Sequence, residues 1–180
     1  MKNVGKVFEN DFKQSVPQEY CLLHRLPDPP QSFKRSKDTK FSHKNPCDFH
    51  MFDSLNRIFY CFELKSTKSN FISFEDISVD EPKQKMIHKH QILGLQKYGQ
   101  YGYTVAGFIC NFRDEKRNEE RTYFLHIDNF MQLYRTIGKW SFNELDLLIY
   151  GGMKIKGNKK RVHYKWDINE FLERWKKKYD

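Results

Sequence analysis

Two carboxylates and a lysine stand close together in the stretch NPCDFHMFDSLNRIFYCFELKSTKSNF, as Asp48, Glu63 and Lys65. Residues 47–53 and 57–67 read as two strands around a turn at Ser54-Leu55-Asn56. A turn symmetric about the Leu55–Asn56 bond sets Asp48 opposite Glu63, with their Cβ atoms about 4.5–5.5 Å apart. Like charges so placed repel each other unless a cation lies between them. Lys65, two residues beyond Glu63, projects from the same face, while Phe62 and Leu64 point to the other and anchor the strand in the core. Two carboxylates plus a main-chain carbonyl, which Leu64 could lend, suit Mg²⁺, a hard ion that also takes phosphate oxygens. The chemistry expected of such a set is phosphodiester hydrolysis: the ion polarises the ester and acidifies a water, and Lys65 orients that water or neutralises the phosphate.

The elements that must position these residues follow from periodicity and punctuation. Residues 4–14 predict a short helix with Val4, Val7, Phe8 and Phe12 as its apolar stripe and Glu9 on its flank. A strand is predicted over 20–26, and a proline-rich, basic arm over 26–46, which contains Lys34 and Arg35. Residues 68–85 read as a polar connection, 86–98 as a helix, 102–112 as a strand buried on both faces, 113–120 as a charged turn and 122–127 as a further strand. Asp128 is predicted to cap one helix, Ser141 and Glu144 to form the capping box of the next, and Asp167 to cap the last. Between the last two, 151–164 reads as a basic hairpin or loop. The fold class expected from this order is α/β, one domain over 1–180 with a mixed central sheet flanked by helices.

Gln91 lies on the apolar side of its helix and needs a partner if buried, either the site or a backbone carbonyl. His88 and His90 are expected to face solvent or phosphate rather than a metal. Glu9 reads equally as a solvated helix residue or as a further acid of the site. The chain carries 32 Lys+Arg against 23 Asp+Glu, a formal net charge of +9, which suits a polyanionic partner. Basic clusters that could track phosphates include Lys34 and Arg35 in the arm and Lys159, Lys160 and Arg161 near the end. The cysteines Cys21, Cys47, Cys61 and Cys110 form no CxxC pair and match no zinc spacing, so buried free thiols are expected. No apolar run suggests a signal peptide or approaches the length of a bilayer span, so a soluble, cytoplasmic protein without membrane contact is expected.

Together these residues resemble the PD-(D/E)xK nucleases, and within them the RecU-type Holliday junction resolvases. Pro46-Cys47-Asp48 is similar to the Pro-x-Asp of that family, and Phe62-Glu63-Leu64-Lys65-Ser66-Thr67 to its F-E-x-K-x-T. Gly5-Lys6-Val7-Phe8-Glu9 resembles the helix that brings an acidic residue near the metal, and His90-Gln91 the His-Gln on the helix after the hairpin. The resemblance implies a PD-(D/E)xK core and a homodimer that nicks four-way DNA junctions with Mg²⁺, or Mn²⁺ in its place. It makes Asp48 and Glu63 metal ligands, Lys65 the catalytic lysine, Thr67 a residue lining the site, Glu9 a further acid, and Gln91 a positioner of water or phosphate. The chain departs from the family in having no glycine in the hairpin turn, and its only counterpart of the family's stalk is the 26–46 arm. The alternatives are another nuclease of the same core, restriction-type or end-processing, and a nucleic-acid-binding protein without catalysis.

Overall fold

The computed structural model describes residues 4–27 and 45–179. Along the chain run α1 (Val4–Ser15), β1 (Cys21–Arg25), β2 (Phe49–Asp53), β3 (Ile58–Thr67), β4 (Phe71–Ser73), α2 (Lys89–Gly99), β5 (Thr104–Asp114) and β6 (Glu119–His126). They are followed by α3 (Ile127–Thr136), β7 (Ser141–Asn143), α4 (Glu144–Ile149), β8 (Met153–Ile155), β9 (Gly157–Lys160), β10 (His163–Trp166) and α5 (Ile168–Tyr179). Six strands form the central sheet in the order β1-β2-β3-β5-β6-β8. It is mixed: β3 pairs with β2 antiparallel and with β5 parallel. The α/β class with helices on both faces is thus what the structure contains. No described helix is long and apolar enough to cross a membrane.

Period-two alternation divides the core in two. Tyr60, Phe62 and Leu64 of β3 join Phe8 and Phe12 of α1 and Phe171 and Trp175 of α5 on one face. Cys61 of β3, with Phe108 and Cys110 of β5, joins Ile92 and Leu95 of α2 and Phe130 and Leu133 of α3 on the other. The β2–β3 turn needs no glycine. The buried Asp53 carboxylate accepts the backbone N–H groups of Leu55 (3.0 Å) and Asn56 (3.2 Å) and the Asn56 side-chain amide (2.7 Å), and Arg57 takes the left-handed conformation at φ 57°.

Several local expectations need correction. The connection over 68–85 is not wholly polar loop: β4 pairs antiparallel with β7, and Ile72 and Phe74 are fully buried. Residues 86–88 precede α2 rather than begin it, because Ile87 bridges to Phe74. His126, not Asp128, is the N-cap of α3, its Nδ1 accepting the Asp128 N–H. Ser141 lies in β7, and the capping box of α4 is Asn143 with Asp146. Cys47 precedes β2 rather than lying in a strand, whereas Cys21, Cys61 and Cys110 lie in β1, β3 and β5. Asp167 does cap the last helix, accepting the Glu170 N–H at 3.0 Å. The basic hairpin is β9–β10. Most of the 26–46 arm, Lys34 and Arg35 included, lies outside the described residues.

Gly94 sets how near α2 comes to the hairpin. A Cβ added there meets Pro46 Cβ at 2.5 Å and Pro46 Cα at 2.8 Å. Gly94→Ala should therefore push the helix from the Pro46-Cys47-Asp48 segment and cost about 1–3 kcal/mol, despite alanine's better helix propensity. Urea denaturation checks this; an alanine variant as stable as the parent would show that the contact is not there.

Candidate functional site

The hairpin register is the one that the symmetric turn requires, with Asp53 opposite Ile58 and Phe49 opposite Phe62. Just before Phe49 the two strands part. The Asp48 N–H still donates to the Phe62 carbonyl at 3.0 Å, but the Asp48 carbonyl accepts the Leu26 N–H at 2.8 Å. The Asp48 side chain takes over where the strand leaves off, and its Oδ2 accepts the Leu64 N–H at 2.7 Å. Leu64 therefore meets the site through its amide, with its side chain in the core behind.

Glu63 is 2% exposed and lies in a strand of aromatic and aliphatic residues. Its Oε1 receives Lys65 Nζ at 2.8 Å and is hydrogen-bonded by Gln91 Nε2. Gln91 is oriented by the start of its own helix: its Oε1 accepts the His88 N–H at 2.9 Å, which turns the amide nitrogen toward Glu63. Of the two partners foreseen for Gln91, the site is the one it has. The start of α2 is tied down further by buried Glu75, which binds His88 Nδ1 at 2.7 Å and the Lys89 N–H at 2.6 Å. Glu9, from α1, is paired with Arg25 Nε at 3.0 Å.

Burial pushes Glu63 up to about 8; Lys65 pulls it down, and Asp48 and Glu9 push it further up. Burial likewise raises Asp48 to about 6, against the Leu64 N–H and Lys65 and with the help of Glu9. Both carboxyls thus hold protons more readily than free ones. Among the described residues, the second oxygen of each, Asp48 Oδ1 and Glu63 Oε2, accepts no hydrogen bond. Two acids of raised proton affinity, each with one oxygen unspent, fit a hard divalent ion, which could draw on Asp48 and Glu63. The three acids are not one tight cluster: the carboxylates of Glu9, Asp48 and Glu63 do not all lie within 4.8 Å of one another.

The remaining expected residues are more scattered. Thr67 is buried at the end of β3, and its hydroxyl is engaged by Ser69, through Oγ at 2.6 Å and N–H at 3.0 Å. His90 stacks on His88 with ring centroids 5.5 Å apart. Lys159 and Lys160 are exposed on β9, with Arg161 in the turn that follows. That hairpin rests on α1, where buried Asp11 accepts the Tyr164 N–H at 2.9 Å and meets His163 Nδ1 at 2.7 Å. Sequence reasoning missed Arg25 and Glu75. Neither belongs to a motif, and each is identified only by the partner that folding brings to it.

No family model matches the chain. It is 30% identical over 181 aligned positions to the "SPbeta prophage-derived uncharacterized protein YotM" of Bacillus subtilis (strain 168), covering 93% of this chain and 84% of the relative.

The raised Glu63 carboxyl has a consequence for stability. A carboxyl whose folded pKa exceeds its unfolded one stabilises the fold while protonated, and that stabilisation is lost as pH rises through the folded value. With chelator present, the parent should lose on the order of 2–4 kcal/mol between about pH 5 and pH 8.5, and Glu63→Gln should lose less. Urea midpoints across that range measure it; equal slopes for both proteins would rule out a buried, proton-holding Glu63.

Proposed function

The chain belongs to the same family as YotM of Bacillus subtilis, and from that starting point we propose that it is a metal-dependent DNA endonuclease with a PD-(D/E)xK core. The observation that carries the reading is the buried Glu63 in mid-sheet, bound to Lys65 and Gln91, with Asp48 at its side and a free oxygen on each carboxylate. Burying a carboxylate in an apolar sheet costs stability that an aliphatic residue at that position would not. A site that needs the charge accounts for its being there.

On this reading Asp48 and Glu63 would hold Mg²⁺ or Mn²⁺, which when bound would acidify a water and offset charge on the phosphoryl oxygens. Lys65 Nζ, already fixed at Glu63, orients the attacking water or neutralises charge on the phosphate. The water oxygen bonds to phosphorus as the bond to the leaving sugar oxygen breaks; the attacking water gives a proton to solvent, and the leaving oxygen takes one from solvent. Gln91 fixes the Glu63 carboxylate and through it the direction of attack. The net charge of +9 and the exposed Lys159 and Lys160 favour a polyanionic substrate. Four-way junctions as the preferred DNA, and a homodimer that cuts paired strands, rest on the resemblance to RecU-type resolvases.

Lys65→Ala should lower cleavage about 10²–10³-fold while DNA binding persists. Asp48→Asn and Glu63→Gln should lower activity and Mg²⁺ dependence together. Gel assays on a synthetic four-way junction beside linear duplex, with and without Mg²⁺, test all three. Cleavage by Lys65→Ala at the parent rate would refute the assigned role, and equal cutting of both DNAs would favour a nuclease of the same core with another substrate. Binding should also weaken steeply as salt rises, since phosphate contacts release counterions; a flat response would remove the basic clusters from the DNA footprint.

A further inference from the structure

Three side chains on the same hairpin have no part in that chemistry. Cys47 and Cys61 are 1% and 0% exposed, His50 is half-buried, and one potential ligand atom from each lies within 4.8 Å of the other two. The fold assembles them deliberately. His50 stands directly opposite Cys61 in the β2–β3 ladder, and Cys47 is turned inward where the chain enters β2. The His50 ring is held by Phe59 and Tyr98, with centroids at 5.0 and 5.2 Å. Its Nε2 is buried and has no hydrogen-bond partner among the described residues. An imidazole nitrogen left so costs about 1–3 kcal/mol unless something binds it.

We infer that Cys47, His50 and Cys61 form a Cys₂His site for a thiophilic divalent ion of the zinc class, with water in the fourth position. Two thiolates cancel the charge of a dication, so the filled site buries no net charge, and two protons leave to solvent for each ion bound. Zn–S and Zn–N bonds of about 2.3 and 2.0–2.1 Å need only a modest closing of the cluster. Thiolate and imidazole donors select against Mg²⁺, which prefers the oxygen pair at Asp48 and Glu63, so the hairpin would sort two ions by softness. Cys47 adjoins Asp48 and Cys61 lies two residues before Glu63 on the same face, so an ion here clamps β2 to β3 next to the point where the two strands part. The site stands whether or not the protein cuts DNA.

The test uses the full chain, reduced and checked for folding by circular dichroism. Purified from zinc-supplemented medium, it should carry one zinc per chain. Cobalt added to the chelated protein should give thiolate-to-metal charge transfer together with the d–d bands of tetrahedral coordination. Cys47→Ser/Cys61→Ser should lose both signals, whereas Cys110→Ala and Glu63→Gln should keep them. Should the double variant fail to fold, His50→Gln and the parent's own cobalt spectrum decide the matter. Cobalt uptake without thiolate absorption, no uptake by the folded and reduced parent, or a Cys47–Cys61 disulfide that re-forms and excludes the ion would each overturn the inference.

Discussion

A carboxylate buried in the middle of an apolar sheet is the constraint around which this hairpin is built. Glu63 is only 2% exposed, so most of the burden of its charge falls on the protein. Lys65 answers it from the same strand face and Gln91 from α2. Each answer imposes a further requirement. Lys65 must follow Glu63 by two residues to share its side of the sheet. Gln91 must present nitrogen rather than oxygen, and the His88 N–H, by occupying its oxygen, ensures that it does. The helix must stand close and start at the right place, which Gly94 against Pro46 and Glu75 at the first turn provide. Removing any one of these leaves the carboxylate incompletely paired, and an incomplete pair in a low-dielectric setting is worse than none.

The reverse face of β3 makes that arrangement rigid. Phe62 packs against Tyr60, Phe124, Phe12 and Phe171, with ring centroids 5.4 to 6.3 Å away. A residue so surrounded has one rotamer and one depth, and it fixes the depth of Glu63 beside it. The aromatic richness of the chain thus bears on the site as well as on the core. Leu64 does the same on the other side of Glu63: its side chain is buried with Phe62, and its amide holds Asp48. Alternation along one strand therefore fixes anchor and acid together.

What was legible in the sequence is what depends on local periodicity. Alternation over residues 57–67 and the symmetric turn predict the register that is observed from Asp53–Ile58 to Phe49–Phe62. One step further the strands part, and Asp48 reaches the Glu63 neighbourhood through its side chain on the Leu64 N–H instead of as a direct cross-strand partner. The turn worked without glycine because Asp53 replaces it, an option that a glycine rule does not contain. Contacts between segments far apart in sequence were not legible. The β4–β7 pairing joins residues 71–73 to 141–143, and nothing in either triplet announces the other. Arg25 reads as a strand end until Glu9 lies beside it. The cysteines are the buried free thiols expected of them, but a spacing rule for tight turns within one segment cannot show that β-pairing brings Cys61 opposite His50. Asp167 caps α5 as expected, but the caps of α3 and α4 lie two residues from the expected Asp128 and Ser141, at His126 and Asn143, since several nearby polar side chains could serve and only the backbone geometry chooses.

The charges also explain why an oxygen-bound cation would matter on the proposed reading. Glu9, Asp48 and Glu63 set three carboxylates against two cations, Lys65 and Arg25, so the fully ionised site is negative in a chain of net charge +9. Long-range attraction would bring DNA to the protein, and short-range repulsion would keep its phosphate from the acids. Burial first, and the neighbouring acids after it, raise the proton affinity of Asp48 and Glu63, which eases the conflict when no ion is bound. A dication held there would displace protons and reverse the local sign, so that the basic surface and the site would agree in favouring a polyanion. Cleavage would then be conditional on the metal for an electrostatic reason that precedes any activation of water: until the local sign is changed, a phosphodiester would be repelled from the acids.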